Sequence, residues 1–562
     1  MTKGGARRAT TLAIALLLAM SGIGLRLGYI QGVRSDAYAA EARAQRVRKI
    51  VLPARRGTIL DRNGGDLAVS IPARTIYANP KAIKDKAKVA GELASLLHTD
   101  QYSVLQTISR NTAFVYVARR IGVVTADNIA KLDEPGIGVL DEPRRFYPGG
   151  GLAANVLGFV GTDQHGLGGI EYGYDQLLNG TPGWQILEED PSGNRIPDGE
   201  FKEQPPVPGG DIKLTLDPDL QLVAERALAD QVKATHAKGG MLVALDPRTG
   251  EIVAMVSNPS FDPNDVGKID PKTIHNRVVT DAYEPGSINK VITASAALAG
   301  GVIKPGEHMW IPAGVHIGDA YFREDRVPDE SLDLKGILTN SSNVGTILLA
   351  EKVGASSLDQ YFQRFGYGQS TGLGFPGESP GLLPSAGRWT TSLPTMAIGQ
   401  GLSVTALQIA QVYSTIANDG VMVEPRLVSG WVDRNGISHN ASDARSHRVI
   451  PQTIAREVRD MLRNVVAEGT GKNAIVPGYD VAGKTGTARK TVEGVGYQGY
   501  YASFVGMLPA RAPQFVMAVV LDDSTPYEGG LAAAPVFAQV ANQAVRILRI
   551  APQPAGVPPV QP

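Results

Sequence analysis

Only one serine in the 562-residue chain is followed three positions later by lysine: Ser287, in Tyr283-Glu284-Pro285-Gly286-Ser287-Ile288-Asn289-Lys290. The Ala-rich run that follows, closed by Gly300-Gly301, predicts a helix opening at this serine. Positions i and i+3 share a helix face, so Ser287 and Lys290 are expected to meet. A hydroxyl needs a base to become a nucleophile, and a desolvated lysine can serve. The positive field of the helix N-terminus favours negative charge developing at the serine. Taken alone, the pair is more simply an N-cap serine beside a solvated lysine.

A second element is Lys484-Thr485-Gly486-Thr487, the only Lys-Thr-Gly in the chain. It precedes the apolar run 501–507 and is expected to pair with it as a strand. A free strand edge beside a nucleophile can bind an extended peptide by strand addition. It can also donate a backbone N–H to an oxyanion hole. Lys484 would lower the pKa of Lys290 by like-charge repulsion. A third element is weaker, because Ser-x-Asn occurs five times, at 109, 192, 287, 341 and 438. Only the last two lie between the serine and Lys484. Ser438 sits in a polar, turn-like stretch, whereas Ser341-Ser342-Asn343 precedes an apolar helix, so Ser341 and Asn343 are selected. Helix capping is the simpler alternative for them.

A competing motif overlaps the lysine strand. Gly478-Tyr479-Asp480-Val481-Ala482-Gly483-Lys484-Thr485 matches the phosphate-loop pattern. Such a loop needs a helix after it. Residues 485–496 contain three glycines and several β-branched residues, which predict no helix.

The remaining sequence has to position these residues. Lysine plus arginine and aspartate plus glutamate each total 55, so no basic excess marks a nucleic-acid binder. There is no cysteine, which removes thiol catalysis, disulfides and Cys-ligated zinc. The eight histidines show no ligand-like pairing, so neither a metal nor a cofactor is expected. Lys3, Arg7 and Arg8 precede an uncharged apolar run over 9–25, which reaches residue 30 if Arg26 snorkels. Ala37-Tyr38-Ala39 resembles a signal-peptidase site but lies about twelve residues beyond that run, so a retained anchor is expected. Basic residues on its two sides nearly balance. The short basic head and long polar remainder fit an N-in anchor with everything else outside.

The expected organisation is a tail (1–8), an anchor (9–30), a mixed α/β pedestal (31–202), a Pro/Gly joint (203–211), a catalytic domain (212–550) and a disordered tail (551–562). Helical spacing over 36–51 predicts a stalk helix. Asn63-Gly64-Gly65 predicts a hairpin. Strands at 241–245, 252–256, 501–507 and 514–521, with helices dominating between about 257 and 420, predict one antiparallel sheet built from both ends of the catalytic domain. The fold class is therefore α+β and multidomain.

The combination S-x-x-K, S-x-N and K-T-G, here with Ser342 in the middle of the second motif, resembles the class B penicillin-binding proteins over nearly the whole chain. Arg56-Gly57-Thr58-Ile59-Leu60-Asp61-Arg62-Asn63-Gly64 is similar to that family's pedestal signature. Arg144-Arg145-Phe146-Tyr147-Pro148 and Gly169-Ile170-Glu171-Tyr172 with Tyr174-Asp175 resemble further pedestal motifs. Ile398-Gly399-Gln400-Gly401-Leu402-Ser403-Val404-Thr405 is similar to the stretch between its second and third catalytic motifs. The Tyr-Glu-Pro-Gly-Ser lead-in and Ser-Ser-Asn resemble the septal, FtsI-like branch, whereas the elongation branch more often has aspartate at the position of Asn343.

This resemblance implies a penicillin-binding transpeptidase fold. It further implies a peptidoglycan D,D-transpeptidase outside the plasma membrane, inhibited by β-lactams. Ser287 would attack the penultimate D-alanine of a stem peptide, Lys290 would take its proton, and Ser341 would relay a proton. Asn343 would hold Lys290 or the substrate amide. Lys484 and Thr485 would bind the terminal carboxylate, with Gly486 in the same strand. The N–H groups of Ser287 and Thr487 would form the oxyanion hole. An FtsW-like glycosyltransferase and other division proteins are the implied partners. The alternatives are a penicillin sensor or scaffold without turnover, an elongation enzyme, and a β-lactamase or carboxypeptidase.

Overall fold

The computed structural model describes residues 3–188, 196–318, 320–324, 329–385, 392–492, 494 and 496–552. The Ser192 candidate and the tail from 553 onward lie outside the described residues. Contacts within the chain divide it into two compact units. The first comprises 1–55, 71–144 and 180–208; the second comprises 56–70, 145–179 and 209–562. The last change from one to the other comes after Pro208. Two segments upstream of it, 56–70 and 145–179, pack with the second unit.

In the first unit the helix Lys3–Gly28 continues into a π-helical turn, Tyr29–Val33. Its 29-residue stretch Gly5–Val33 is mainly apolar, and none of it is buried. At about 1.5 Å per residue it is long enough for a ~30 Å hydrocarbon core. The expected stalk helix covers only Ser35–Arg46. Val47–Leu52 is instead a strand, paired antiparallel with Gly183–Glu188, which also pairs with Phe201–Gln204. Three of its six residues (Val47, Ile50 and Val51) are β-branched and so suit a strand, but the partner lies more than 130 residues away and leaves no local signal. A separate sheet has Arg74–Ala78 between Val115–Ile121 and Ile137–Asp141. Its core joins Ile76 and Ala78 to Val89, Leu93, Val104 and Ile129 from three short helices.

In the second unit the expected hairpin forms between Ile59–Leu60 and Asp66–Ile71. Gly64 supplies φ 90°, and Asp61 Oδ1 accepts from Asn63 N at 2.6 Å and Gly65 N at 3.0 Å. Behind it, Arg56 and Arg145 each direct Nε to Glu171 at 2.6 Å. Arg56 also meets Asp175 at 2.6 Å, and Tyr147 donates to Glu171 at 3.2 Å. A buried carboxylate is tolerated when paired and hydrogen-bonded in this way. These pedestal-motif residues are thus a buried charge lock.

The catalytic sheet contains β1 (Gly239–Leu245), β2 (Ile252–Asn258), β3 (Ala482–Val492), β4 (Gly496–Leu508) and β5 (Phe515–Asp522), in the order β2-β1-β5-β4-β3, all antiparallel. Strands from both ends of the domain meet at β1 and β5, as the sequence predicts. Val516, Ala518 and Val520 face one core, while Phe515, Met517, Val519 and Leu521 face the other. That period of two explains why β5 reads as an unbroken apolar run. Helices α1 (Pro218–Ala234) and α7 (Ala534–Ile547) cover the second face; α2 (Lys290–Ala299) and α5 (Ala406–Ala417) cover the first. The region read as mainly helical also contains two small hairpins: Met309–Ile311 with Glu330–Leu332, and Gly314–Ile317 with Ala320–Arg323. Helices α3 (Leu334–Asn340), α4 (Asn343–Val353) and α6 (Gln452–Ala467) complete the surroundings of the site.

Phe504 and Phe537 are fully buried and pack edge to face, with centroids 4.9 Å apart. Phe537→Ala is expected to destabilise the second unit by about 3–5 kcal/mol in chemical denaturation. After α5, burial raises the Asp419 pKa, but hydrogen bonds from Arg456 and Gln452 and the charge of Arg459 outweigh it and hold the value down to about 2. A depressed carboxyl stabilises the fold above its unfolded value, ~3.9, and that contribution fades as pH falls through the folded value. Asp419→Asn should therefore lower the melting temperature at pH 7, with the difference from wild type shrinking between about pH 4 and pH 2.

Candidate active site

Ser287 lies in a 3₁₀ turn, Gly286–Asn289, that leads directly into α2. Every residue from Lys290 to Leu298 is buried, and small alanines allow the surrounding elements to approach that closely. Three backbones converge on the turn. Gly286 has φ 59° and donates its N–H to Gly399 O at 2.9 Å. A Cβ on Gly286 would stand 2.8 Å from Thr487 O, and one on Gly399 (φ 83°) would stand 2.2 Å from Gly286 O. Only glycine accepts both the left-handed conformation and this proximity. Asn289 Nδ2 donates to Met396 O at 3.0 Å, and Tyr413 of α5 donates to Ile288 O at 2.9 Å. The nucleophile turn is therefore held from below by α5 and from the side by the Gly399 loop.

Lys290, 0% exposed, reaches the second motif. Its Nζ donates to Ser341 O at 2.6 Å and to Asn343 Oδ1 at 2.7 Å, with Ser341 Oγ at 3.4 Å. The sequence places those residues there by two local devices. Ser341 ends α3 in a left-handed conformation, φ 59°, which reverses the chain. Ser342 then caps α4, accepting from Gly345 N at 2.8 Å. Capping and function thus coexist at this turn: the middle serine caps, while its neighbours hold the lysine. The rejected pair Ser438 and Asn440 lies on the edge strand of a different sheet, and both are exposed.

The third motif lies on β3, the edge of the catalytic sheet, where Lys484 opposes Val505 and Thr487 opposes Ala502 of β4. Lys484 is fully buried, with Nζ 3.3 Å from Thr485 O. Thr485 Oγ1 shares a 2.6 Å hydrogen bond with Thr470 Oγ1. A Cβ on Gly486 would meet Ser503 Oγ at 2.4 Å and both Ile288 Cγ2 and Pro285 O at 3.0 Å. The glycine is what lets the strand lie against the nucleophile turn. Gly478–Thr485 runs into this strand instead of a helix, so it offers no helix N-terminus to a phosphate.

Two tyrosines of the surrounding core stay protonated near neutral pH and so offer no base. Burial pushes the phenols of Tyr283 and Tyr501, whose rings are 5.1 Å apart, well above the ordinary tyrosine range. Burial also raises the Glu284 carboxyl, against the opposing pull of the Gly401 N–H and Tyr497 hydroxyl. Among the described residues, no three His, Asp or Glu side chains are grouped as a metal ion requires.

Sequence reasoning missed Thr470, Tyr413 and Glu324, whose carboxylate accepts from Ser342 and Val344. None of them sits in a spacing pattern that would have drawn attention. Each acts through a long-range contact.

Two family models match the chain: the penicillin-binding protein transpeptidase domain over 240–542 and the penicillin-binding protein dimerisation domain over 51–214. The penicillin-binding protein PbpB of Mycolicibacterium smegmatis is 34% identical, covering 98% of this chain and 92% of that protein. The peptidoglycan D,D-transpeptidase FtsI of Escherichia coli is also 34% identical, with coverages of 97% and 92%. A crystal structure of penicillin-binding protein 3 from Mycobacterium tuberculosis complexed with aztreonam is similar at a TM-score of 0.71 and 31% identity, covering 90% of this chain and 98% of that one. With a buried Lys290 held by the second motif, the Gly486 strand lying against the nucleophile turn and both family models matched, the chain belongs to the class B penicillin-binding proteins.

Proposed function

We propose that this protein is a septal peptidoglycan D,D-transpeptidase that works through an acyl-enzyme on Ser287 and is a target of β-lactams. The observation that carries the reading is the environment of Lys290: a fully buried amine, one turn after a serine, held by Ser341 and Asn343 at 2.6 and 2.7 Å. A buried lysine with no chemical task would be an expensive way to fill a core. The relatives named above support the substrate class and the septal assignment.

In this mechanism Lys290, as the free amine, takes the Ser287 proton while Oγ attacks the carbonyl carbon of the penultimate D-alanine. The N–H groups of Ser287 and Thr487 receive the developing oxyanion. The C–N bond to the terminal D-alanine then breaks, and the proton passes to the leaving amine through Ser341. Lys484 and Thr485 hold the departing residue's carboxylate, and Gly486 keeps the strand close enough for that contact. An amine of a neighbouring stem attacks the ester carbon, and Ser287 recovers its proton. A β-lactam acylates Ser287 by the same attack, but its ring-opened leaving group stays attached and the adduct persists.

The apolar N-terminal helix anchors the chain in the plasma membrane, with the residues after it outside. An FtsW-like glycosyltransferase and other division proteins are the partners this reading assigns.

The test is a fluorescent-penicillin gel of the full chain. Wild type should give one covalent band, and Ser287→Ala none; a band of equal intensity in both removes the assignment. Incubation with a D-Ala-D-Ala peptide and an acceptor amine should yield cross-linked product. Labelling without product would leave a penicillin sensor, and rapid penicillin hydrolysis would indicate a β-lactamase. Gly399→Ala, which drives a methyl group into the nucleophile turn, should slow acylation at least about tenfold, equivalent to about 1.4 kcal/mol on the barrier.

A further inference from the structure

We propose that Glu324 is the positioning residue of the second motif, clamping the Ser341-Ser342-Asn343 turn so that its two acceptors stand against Lys290 Nζ. The inference rests on the transpeptidase reading above and adds to it a residue outside all three motifs.

Glu324 follows the hairpin Gly314–Ile317/Ala320–Arg323, and its own N–H donates to Ala313 O at 2.8 Å. Its carboxylate gathers three donors from one turn: the Ser342 hydroxyl on Oε1, Val344 N–H on Oε1 at 2.7 Å and Asn343 N–H on Oε2 at 3.3 Å. Ser342 is fully buried, and its oxygen simultaneously accepts from Gly345 N–H at 2.8 Å. The first three N–H groups of α4 are thus satisfied by one serine and one carboxylate. An anion at the N-terminus of this 11-residue helix is favoured by the helix dipole and by charge-assisted hydrogen bonds.

The clamp sits between the lysine's two partners. Residue 341 offers its carbonyl to Lys290, residue 343 offers its side-chain oxygen, and Glu324 holds residue 342. Ser341 is also held at φ 59°, a conformation a non-glycine residue keeps only when its surroundings over-determine it. A serine cap alone would secure α4. The additional carboxylate fixes the turn relative to a separate hairpin, and with it the distance from which Ser341 O and Asn343 Oδ1 meet Lys290 Nζ. Glu324 therefore acts on the acylation step through the turn and not by touching substrate.

The experiment measures fluorescent-penicillin acylation of the full chain in detergent across penicillin concentrations, with the melting temperature and the fraction labelled at saturation recorded for every variant. Glu324→Ala and the isosteric Glu324→Gln should lower the limiting acylation rate about tenfold or more, while the half-saturating concentration stays within about twofold. Glu324→Asp, which keeps the charge, should recover part of the rate. The double variant Glu324→Ala/Ser342→Ala should be no slower than the slower single variant, since both remove one clamp. Wild-type rates in Glu324→Ala, additive losses in the double variant, or losses that follow only the labelled fraction would overturn the proposal. Failure of the catalytic reading looks different: wild type unlabelled, or Ser287→Ala labelled equally, which would take this proposal down with it.

Discussion

A lysine with no exposure to water is the constraint around which the second unit is organised. An ammonium or amine in that position needs oxygen partners, because burial without them is prohibitively unfavourable. Ser341 O and Asn343 Oδ1 meet that need. They can do so only because α3 ends in a left-handed serine and α4 begins two residues later, after its Ser342 cap. The local geometry of a helix–helix junction and the chemistry of a distant helix are therefore a single requirement.

The close approaches extend that requirement outward. Gly286, Gly399 and Gly486 each stand where a methyl group would collide with a neighbouring strand, loop or turn. Together they bring β3, the 399–401 loop and the nucleophile turn within van der Waals distance. Interiors packed at crystal-like density transmit such demands over several layers. The five-stranded sheet, buried on both faces, supplies the rigid support, and its free edge at β3 is where an extended peptide can add as a further strand. Rigid support behind a site limits the reorganisation left for the reaction itself.

The Arg56–Glu171–Arg145 lock shows a different use of buried charge. Its residues are drawn from two segments of the chain upstream of the catalytic domain, and they pack within the second unit. A pattern that reads along the sequence as a pedestal signature is, in space, a set of paired ions that holds a hairpin and a pair of short helices together. One buried carboxylate shared by two guanidiniums leaves little tolerance for replacing any single member.

Much of this was legible in one dimension. The i, i+3 spacing of Ser287 and Lys290, the strand character around Lys484, the apolar runs of β1, β2, β4 and β5, the Asn-Gly-Gly hairpin and the apolar N-terminal helix all follow from local periodicity and turn chemistry, which neighbouring residues determine. The sequence also separated Ser341 and Asn343 from Ser438 and Asn440, because the onset of an apolar helix is a local event. Tertiary structure alone decided the rest. Val47–Leu52 became a strand because a partner far along the chain satisfies its backbone groups, and the two hairpins between 309 and 332 are too short to announce themselves. Thr470 and Tyr413 reach the site through single hydrogen bonds, and Glu324 through three, from elements with no shared period. Spacing along a chain encodes which residues share a face; which faces meet is settled only when burial of all of them is solved together.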